Sequence, residues 1–199
     1  MKKILLLTSI LLFLACGGVK KTQKALNSGN YVTAMNRAIK NLRANKTKRG
    51  HQNYVILLEE AFAKHSREEI NRIQFLENDG NPANLMPSYE GYTHLKQLQN
   101  SIRPLLPLPV YAEDRNANFK MVNYDNTILE VKDELSAYLY DNATQLLASA
   151  RTKMEYRRAF DDLKYLEGIN PGYSDTAAKM DEAYQKGLDF VKVEMKTET

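Results

Sequence analysis

Few side chains in this sequence have the type and spacing that chemistry requires. They are the single cysteine, Cys16, the histidines His51, His65 and His94, and the adjacent carboxylates Asp161 and Asp162. One cysteine excludes a disulfide within the chain and leaves no cysteine-built metal site. The histidines stand in unrelated contexts, and HExxH, GxSxG and a glycine-rich phosphate loop are all absent. Asp161 and Asp162 are consecutive on a helical pattern, so they point about 100° apart and cannot share a proton as a catalytic pair. They read as a wet helix face. No catalytic residue, metal or cofactor is expected, and the chain is not read as an enzyme.

What Cys16 can do depends on what precedes it. Lys2 and Lys3 are followed by an almost wholly apolar run from Ile4 to Ala15, the layout of a secretory signal peptide. Those residues would span roughly 18 Å as a helix, against about 30 Å of hydrocarbon, so they are too short to cross a membrane and stay. Leu14-Ala15-Cys16-Gly17 resembles the lipobox of Gram-negative bacterial lipoproteins, although Phe13 stands where leucine is usual and Leu14 where a smaller residue is. The resemblance implies cleavage after residue 15 and acylation of Cys16 with palmitate-type chains. Each buried methylene is worth about 0.8 kcal/mol, so two or three such chains anchor the protein durably. Gly17 in place of aspartate implies the outer membrane, and the lack of an acidic run over residues 17–21 implies its periplasmic face.

Charge is divided along the chain. From Gly17 to Leu58 there is no acidic residue, but nine basic ones; with Lys2 and Lys3 set aside, 17 of the 28 basic residues remain to face all 24 acidic ones beyond. A lysine close to an anionic leaflet contributes about 1 kcal/mol, decaying over roughly 8 Å. Lys20, Lys21 and Lys24, nearest the anchor, are therefore expected to contact the membrane surface; the other reading is a solvated helix face. Nucleic acid, the third partner for a basic patch, is excluded for a secreted, lipidated chain.

The elements that would position these groups are mostly helical. Gly29-Asn30 is a turn before a stripe of Ala34, Met35, Ala38 and Leu42. Tyr54, Leu57, Leu58, Ala61 and Phe62 form the next stripe. Ser66-x-x-Glu69 matches a capping box, which would start a new helix carrying Ile70, Ile73 and Leu76 and ending at Asp79-Gly80-Asn81-Pro82. A helix over roughly Pro87 to Ile102 gives way to PLLPLPVY, where Leu106–Ala112 and Asn118–Asn123 are expected to pair as a short hairpin. Beyond it, Ile128, Val131, Leu135, Leu139 and Leu146 keep a helical period, as do Tyr156, Ala159, Phe160, Leu163 and Leu166; Ser174 is expected to cap a last helix reaching about Met195.

Tyr31-x-x-Ala34-Met35-x-x-Ala38 and Tyr156-x-x-Ala159-Phe160-x-x-Leu163 share one pattern, and both resemble the second helix of the tetratricopeptide repeat. Gly29 and Pro171 fall at that repeat's turn glycine and closing proline. The paired first helix would run from about Asp141 to Thr152, with Ala143, Leu147 and Met154 departing from the repeat's aromatic and glycine positions. The resemblance implies stacked helical hairpins with a concave face lined by first helices, which carried over would include Asp141, Thr144, Arg151, Asp175 and Lys186. Asp175-Thr176-Ala177 also resembles a short acceptor motif for O-linked glycans.

The expected architecture is all-α: tetratricopeptide-like helical hairpins, as a solenoid or bundle, with a short β-hairpin insertion near 105–123. Its divisions are a signal peptide over 1–15, a lipidated cysteine and tether over 16–23, helical hairpins over 24–103, a Pro-rich insertion or linker over 104–125, and repeat-like helices over 126–195. The expected role is a lipid-anchored protein-interaction scaffold or accessory subunit of an outer-membrane assembly, partnered by the membrane and other envelope proteins. The alternative is an envelope hydrolase or glycan-binding lipoprotein with its site near 104–125.

Overall fold

The computed structural model of the chain describes residues 17–189. The expected leader, Cys16 and residues 190–195 of the expected last helix lie outside the described residues; within them that helix already ends at Gly187, with Leu188 extended. Seven helices and one two-stranded ladder follow in order: α1 (residues 17–27), α2 (Tyr31–Ala44), α3 (Gln52–Asn78), α4 (Leu85–Ile102), β1 (Pro109–Val110), β2 (Arg115–Asn116), α5 (Asp125–Ser149), α6 (Lys153–Ile169) and α7 (Thr176–Gly187). The fold is all-α with a short β-hairpin. It divides into two compact units, one holding residues up to 79 with Glu90–Tyr124, the other Gly80–Tyr89 with the chain from Asp125 onward.

The first unit starts earlier than its sequence suggests. Residues 17–23, expected as a tether, are helical: Val19, Thr22, Ala25 and Leu26 turn inward at helical spacing while Lys20, Lys21 and Lys24 stay exposed. Gly29, at φ 76°, makes the left-handed turn that a side chain would resist. Asn30 then caps α2, its Oδ1 accepting from the Thr33 amide at 3.2 Å. Ala34, Met35, Ala38, Ile39 and Leu42 of α2 bury against Tyr54, Val55, Leu58, Ala61 and Phe62 of α3. A fully buried leucine such as Leu42 or Leu58 stabilises by about 1.5 to 3 kcal/mol.

Ser66 starts no helix, because α3 runs unbroken from Gln52 to Asn78. The inward stripe of Leu58, Ala61 and Phe62 continues in phase through His65 to Ile73, and that continuity overrides the local capping signal. Ser66 is left mid-helix with its buried Oγ unpartnered. Across from it α4 approaches α3 closely at Gly91, where a Cβ would meet Glu69 Oε1 at 2.7 Å and Ile73 Cδ1 at 2.8 Å.

Residues 104–124 are neither linker nor loose insertion. Leu105, Leu108, Val110 and Phe119 join the core of α2 and α3. The ladder is shorter and earlier than expected, pairing Pro109 with Asn116 and Val110 with Arg115, and Asn118–Asn123 form no strand. Side chains from α3, α4 and the turn after α2 fasten this stretch instead. Glu59 accepts from Arg115 at 2.7 and 2.9 Å and from the Asn118 amide at 2.6 Å. Buried Gln99 accepts from the Val122 amide at 2.8 Å, and Lys46 donates to the Leu105 carbonyl at 2.9 Å.

The second unit is simpler. α5 packs on α6, and α6 on α7, with Ala143, Ala159 and Ala183 each fully buried in one cluster with Leu147 and Leu163. Small side chains at these three places let the helices come close, as ridges-into-grooves packing requires. A second cluster gathers Leu135, Leu139 and Leu166 with tyrosines 138, 140, 165 and 173. The expected first helix from Asp141 to Thr152 is the second half of the longer α5. Thr152 and Glu155 form a reciprocal capping box for α6. Ser174 does not cap α7; it sits at φ 49° and the N-cap is Asp175.

Candidate functional site

The five residues proposed for a concave face stand in different surroundings. Asp141 and Arg151 are exposed, and the Arg151 amide is committed to Glu155 at 2.7 Å. The Thr144 hydroxyl is buried and unpartnered. Asp175 accepts from the Tyr140 hydroxyl at 2.5 Å and lies 3.6 Å from Lys179. That hydroxyl, with the Lys179 charge, holds the Asp175 carboxyl below its ordinary range. Lys186 pairs with Glu182 at 2.6 Å and lies over the Tyr156 ring at 5.4 Å. Asp175 and Lys186 flank opposite ends of α7, about 16 Å apart along the axis. What α5 builds with the loop before α7 is a tyrosine pair: Tyr140 meets Tyr173 edge-on, and Lys179 of α7 sits over the Tyr140 ring at 5.6 Å. Thr176 is fully buried and donates to the Tyr173 carbonyl, so its hydroxyl is closed to glycan transfer.

The two carboxylates read as a wet face part company. Asp161 is exposed, whereas Asp162 accepts from Asn142 of α5 at 2.6 Å, and burial pushes its carboxyl up despite that bond. The histidines also regroup. His65 of α3 and His94 of α4 meet as a T-shaped pair with ring centroids 5.4 Å apart. Burial, then the His94 charge, pulls the His65 imidazole down, and its Nε2 has no partner. Among the described residues no group of three or more histidine, cysteine, aspartate or glutamate side chains is placed to hold a metal ion.

Two hollows remain. In the second unit, a cleft of about 360 Å³ between α6 and α7 is lined by Phe160 and Tyr184 beside the ion pairs of Asp189 with Arg157 and Lys153. In the first unit, an open hollow of about 620 Å³ lies between the start of α3 and the hairpin, lined by Arg49, Gln52, Asn53, Ile56, Val110 and Tyr111 among others, none of them a carboxylate. Gln52 bridges its two walls, accepting from the Tyr111 amide at 3.1 Å. Sequence reasoning overlooked Gln52 and Glu59 because their partners lie far along the chain. Thr152-x-x-Glu155, by contrast, was a readable signal for the start of α6.

The three lysines of α1 are exposed and have no ion-pair partner among the described residues. No described helix is long and apolar enough to cross a membrane. No known protein family, curated protein or solved structure matches the chain.

Proposed function

We propose that this chain is a non-enzymatic, lipid-anchored envelope protein that docks other envelope proteins or holds a partner within an outer-membrane assembly. Acyl chains on Cys16 tether it, Lys20, Lys21 and Lys24 face the lipid surface, and tetratricopeptide-like helices present the docking faces. The observation that carries this reading is the contact of α5, α6 and α7 through Ala143, Ala159 and Ala183. Consecutive helices joined through small residues are how stacked hairpins bury one face and leave another free for a partner. Three unpaired lysines on one exposed side of α1 support the membrane-facing part. The hydrolase alternative calls for a pocket into which free carboxylates converge; the hollow at the start of α3 is lined by none, the one at the hairpin tip by Asp114 alone, and Glu59 and Glu113 are taken up by Arg115.

Crosslinking in intact cells, comparing the wild type with Cys16→Ser, tests the proposal. The wild type should carry fatty-acid label, fractionate with the outer membrane and crosslink to a protein partner. Cys16→Ser should lose the label while its helices remain folded. Label retained by the variant overturns the anchor, and a wild type that crosslinks to no protein overturns the docking role.

A further inference from the structure

The hollow between α3 and the hairpin has a lopsided chemistry. Arg49, in the turn leading into α3, is exposed and has no ion-pair partner among the described residues. The nearby carboxylates Glu59 and Glu113 are both engaged by Arg115, at 2.7 and 2.5 Å. Asp114, at the hairpin tip, lines a separate hollow with Tyr111 and Arg115, so the lining of this one carries the Arg49 charge and no negative one. Gln52 spends its oxygen on the Tyr111 amide, which leaves its own amide nitrogen buried with no acceptor. Such an orphan donor costs about 1 to 3 kcal/mol until something accepts from it. Exposed Asn53 adds a further amide. The remaining wall is apolar: Val110 is buried, while Ile56 is 37% and Tyr111 55% exposed, among the most exposed large hydrophobic side chains of the first unit.

We propose that this hollow binds an extended acidic peptide segment of a partner protein, with a carboxylate on Arg49, a backbone carbonyl on the exposed Asn53 amide, and an adjoining apolar side chain against Ile56 and Tyr111. The proposal rests on the docking role above and names the partner's chemistry. Charge complementarity selects an anion. The apolar wall of Ile56, Val110 and the Tyr111 ring selects an apolar side chain beside it. Sugar hydroxyls donate as well as accept, and a lining without carboxylates answers them poorly. Phosphate head groups would satisfy Arg49 but leave the Ile56 and Tyr111 wall unused.

The probe is a short labelled peptide alternating glutamate and leucine, titrated into the purified full chain, with a glutamine–leucine counterpart and anionic phosphatidylglycerol vesicles as comparison arms. The acidic peptide should bind, weaken as salt rises, and lose about tenfold in affinity or more with Arg49→Gln, the loss of one charge-assisted contact. Arg49→Lys should recover part of that. Tyr111→Ala should weaken binding with no change in its salt dependence, because it removes only apolar contact. Asn53→Asp, an exposed substitution that puts a carboxylate in the hollow, should weaken it as Arg49→Gln does. Equal binding of the glutamine counterpart, or indifference to both Arg49→Gln and Tyr111→Ala, overturns the proposal. So does vesicle binding that depends on Arg49 and displaces the peptide, which would assign the hollow to head groups. A peptide that fails to bind while crosslinking still captures a partner refutes the hollow alone; peptide binding without any cellular crosslink refutes the docking role alone.

Discussion

In the second unit, α5, α6 and α7 pack in chain order, and each helix contributes a fully buried alanine to one cluster. In the first unit, a short hairpin is held to α3 and α4 by single side chains: Glu59 on Arg115 and Asn118, Gln99 on Val122, Gln52 on Tyr111. One unit is cohesive because periodic faces fit. The other closes around an irregular stretch whose backbone amides need acceptors that no neighbouring strand supplies. Glutamate and glutamine side chains substitute for missing strand partners, and the hollow at Gln52 is a by-product of that substitution.

The sharpest way to break this contrast is at Leu108. It is fully buried among residues of the α2–α3 core, so Leu108→Ala should destabilise by about 2 to 5 kcal/mol in denaturant unfolding. A linker leucine would change stability by no more than about 0.5 kcal/mol, and that result would return residues 104–124 to the status of an insertion.

In the second unit the matching test is overpacking. Ala159 has no exposed surface, so Ala159→Leu should cost about 1 to 3 kcal/mol, while Asp161→Leu on the exposed side of α6 should cost much less. Equal losses at the two positions would mean that α6 does not present its alanine to a neighbour.

The polar clamp should yield a smaller loss with a pH signature. Arg115, then the Asn118 amide, holds the Glu59 carboxyl below its ordinary range against the opposing effect of burial. A carboxylate with a depressed folded value adds stability above its unfolded value of about 4.3, and that contribution disappears as pH falls through the folded value. Glu59→Gln should therefore cost about 1 to 2 kcal/mol at neutral pH, with the gap to the wild type closing below about pH 4. A gap independent of pH would make the contact one of shape and not of charge.

How much of this was readable beforehand follows the same division. The stripes through Ala34, Leu58, Leu139 and Ala159 are local and periodic, so most of their buried positions were legible, while Ile39, Val55 and Ser136, at the stripe edges, were not. A hairpin near PLLPLPVY was legible too, since prolines exclude helix, but not its register: Arg115 is drawn into the ladder and toward Glu59, a residue on another element. What the candidate concave-face residues touch was illegible for a related reason. Asp175 and Lys186 were placed by analogy to a repeat, whereas their neighbours Tyr140, Lys179 and Glu182 decide what each contacts. The pairing of His65 with His94 had no sequence signal, because two helices must first be brought together at Gly91.

The smallest expected effect discriminates between two identical signatures, Ser66-x-x-Glu69 and Thr152-x-x-Glu155. Around Ser66 the apolar stripe keeps its phase, so the helix runs on and the hydroxyl stays buried without a partner. At Thr152 the phase breaks. Met154, seven residues beyond buried Leu147, is 58% exposed, while Tyr156 and Ala159 turn inward instead. There the chain must restart, and Thr152 and Glu155 satisfy amides that the new helix leaves open, with Glu155 Oε2 accepting from Thr152 N at 2.9 Å. Thr152→Ala should therefore cost about 0.5 to 1 kcal/mol. Ser66→Ala should lie within about 0.5 kcal/mol of the wild type or stabilise, since it removes an unsatisfied hydroxyl and introduces a better helix former. Thermal melts of the two variants beside the wild type decide it. A comparable loss at Ser66 would mean that α3 is interrupted in solution where its stripe says it is continuous, and the contrast between a continuous α3 and a restarted α6 would fall with it.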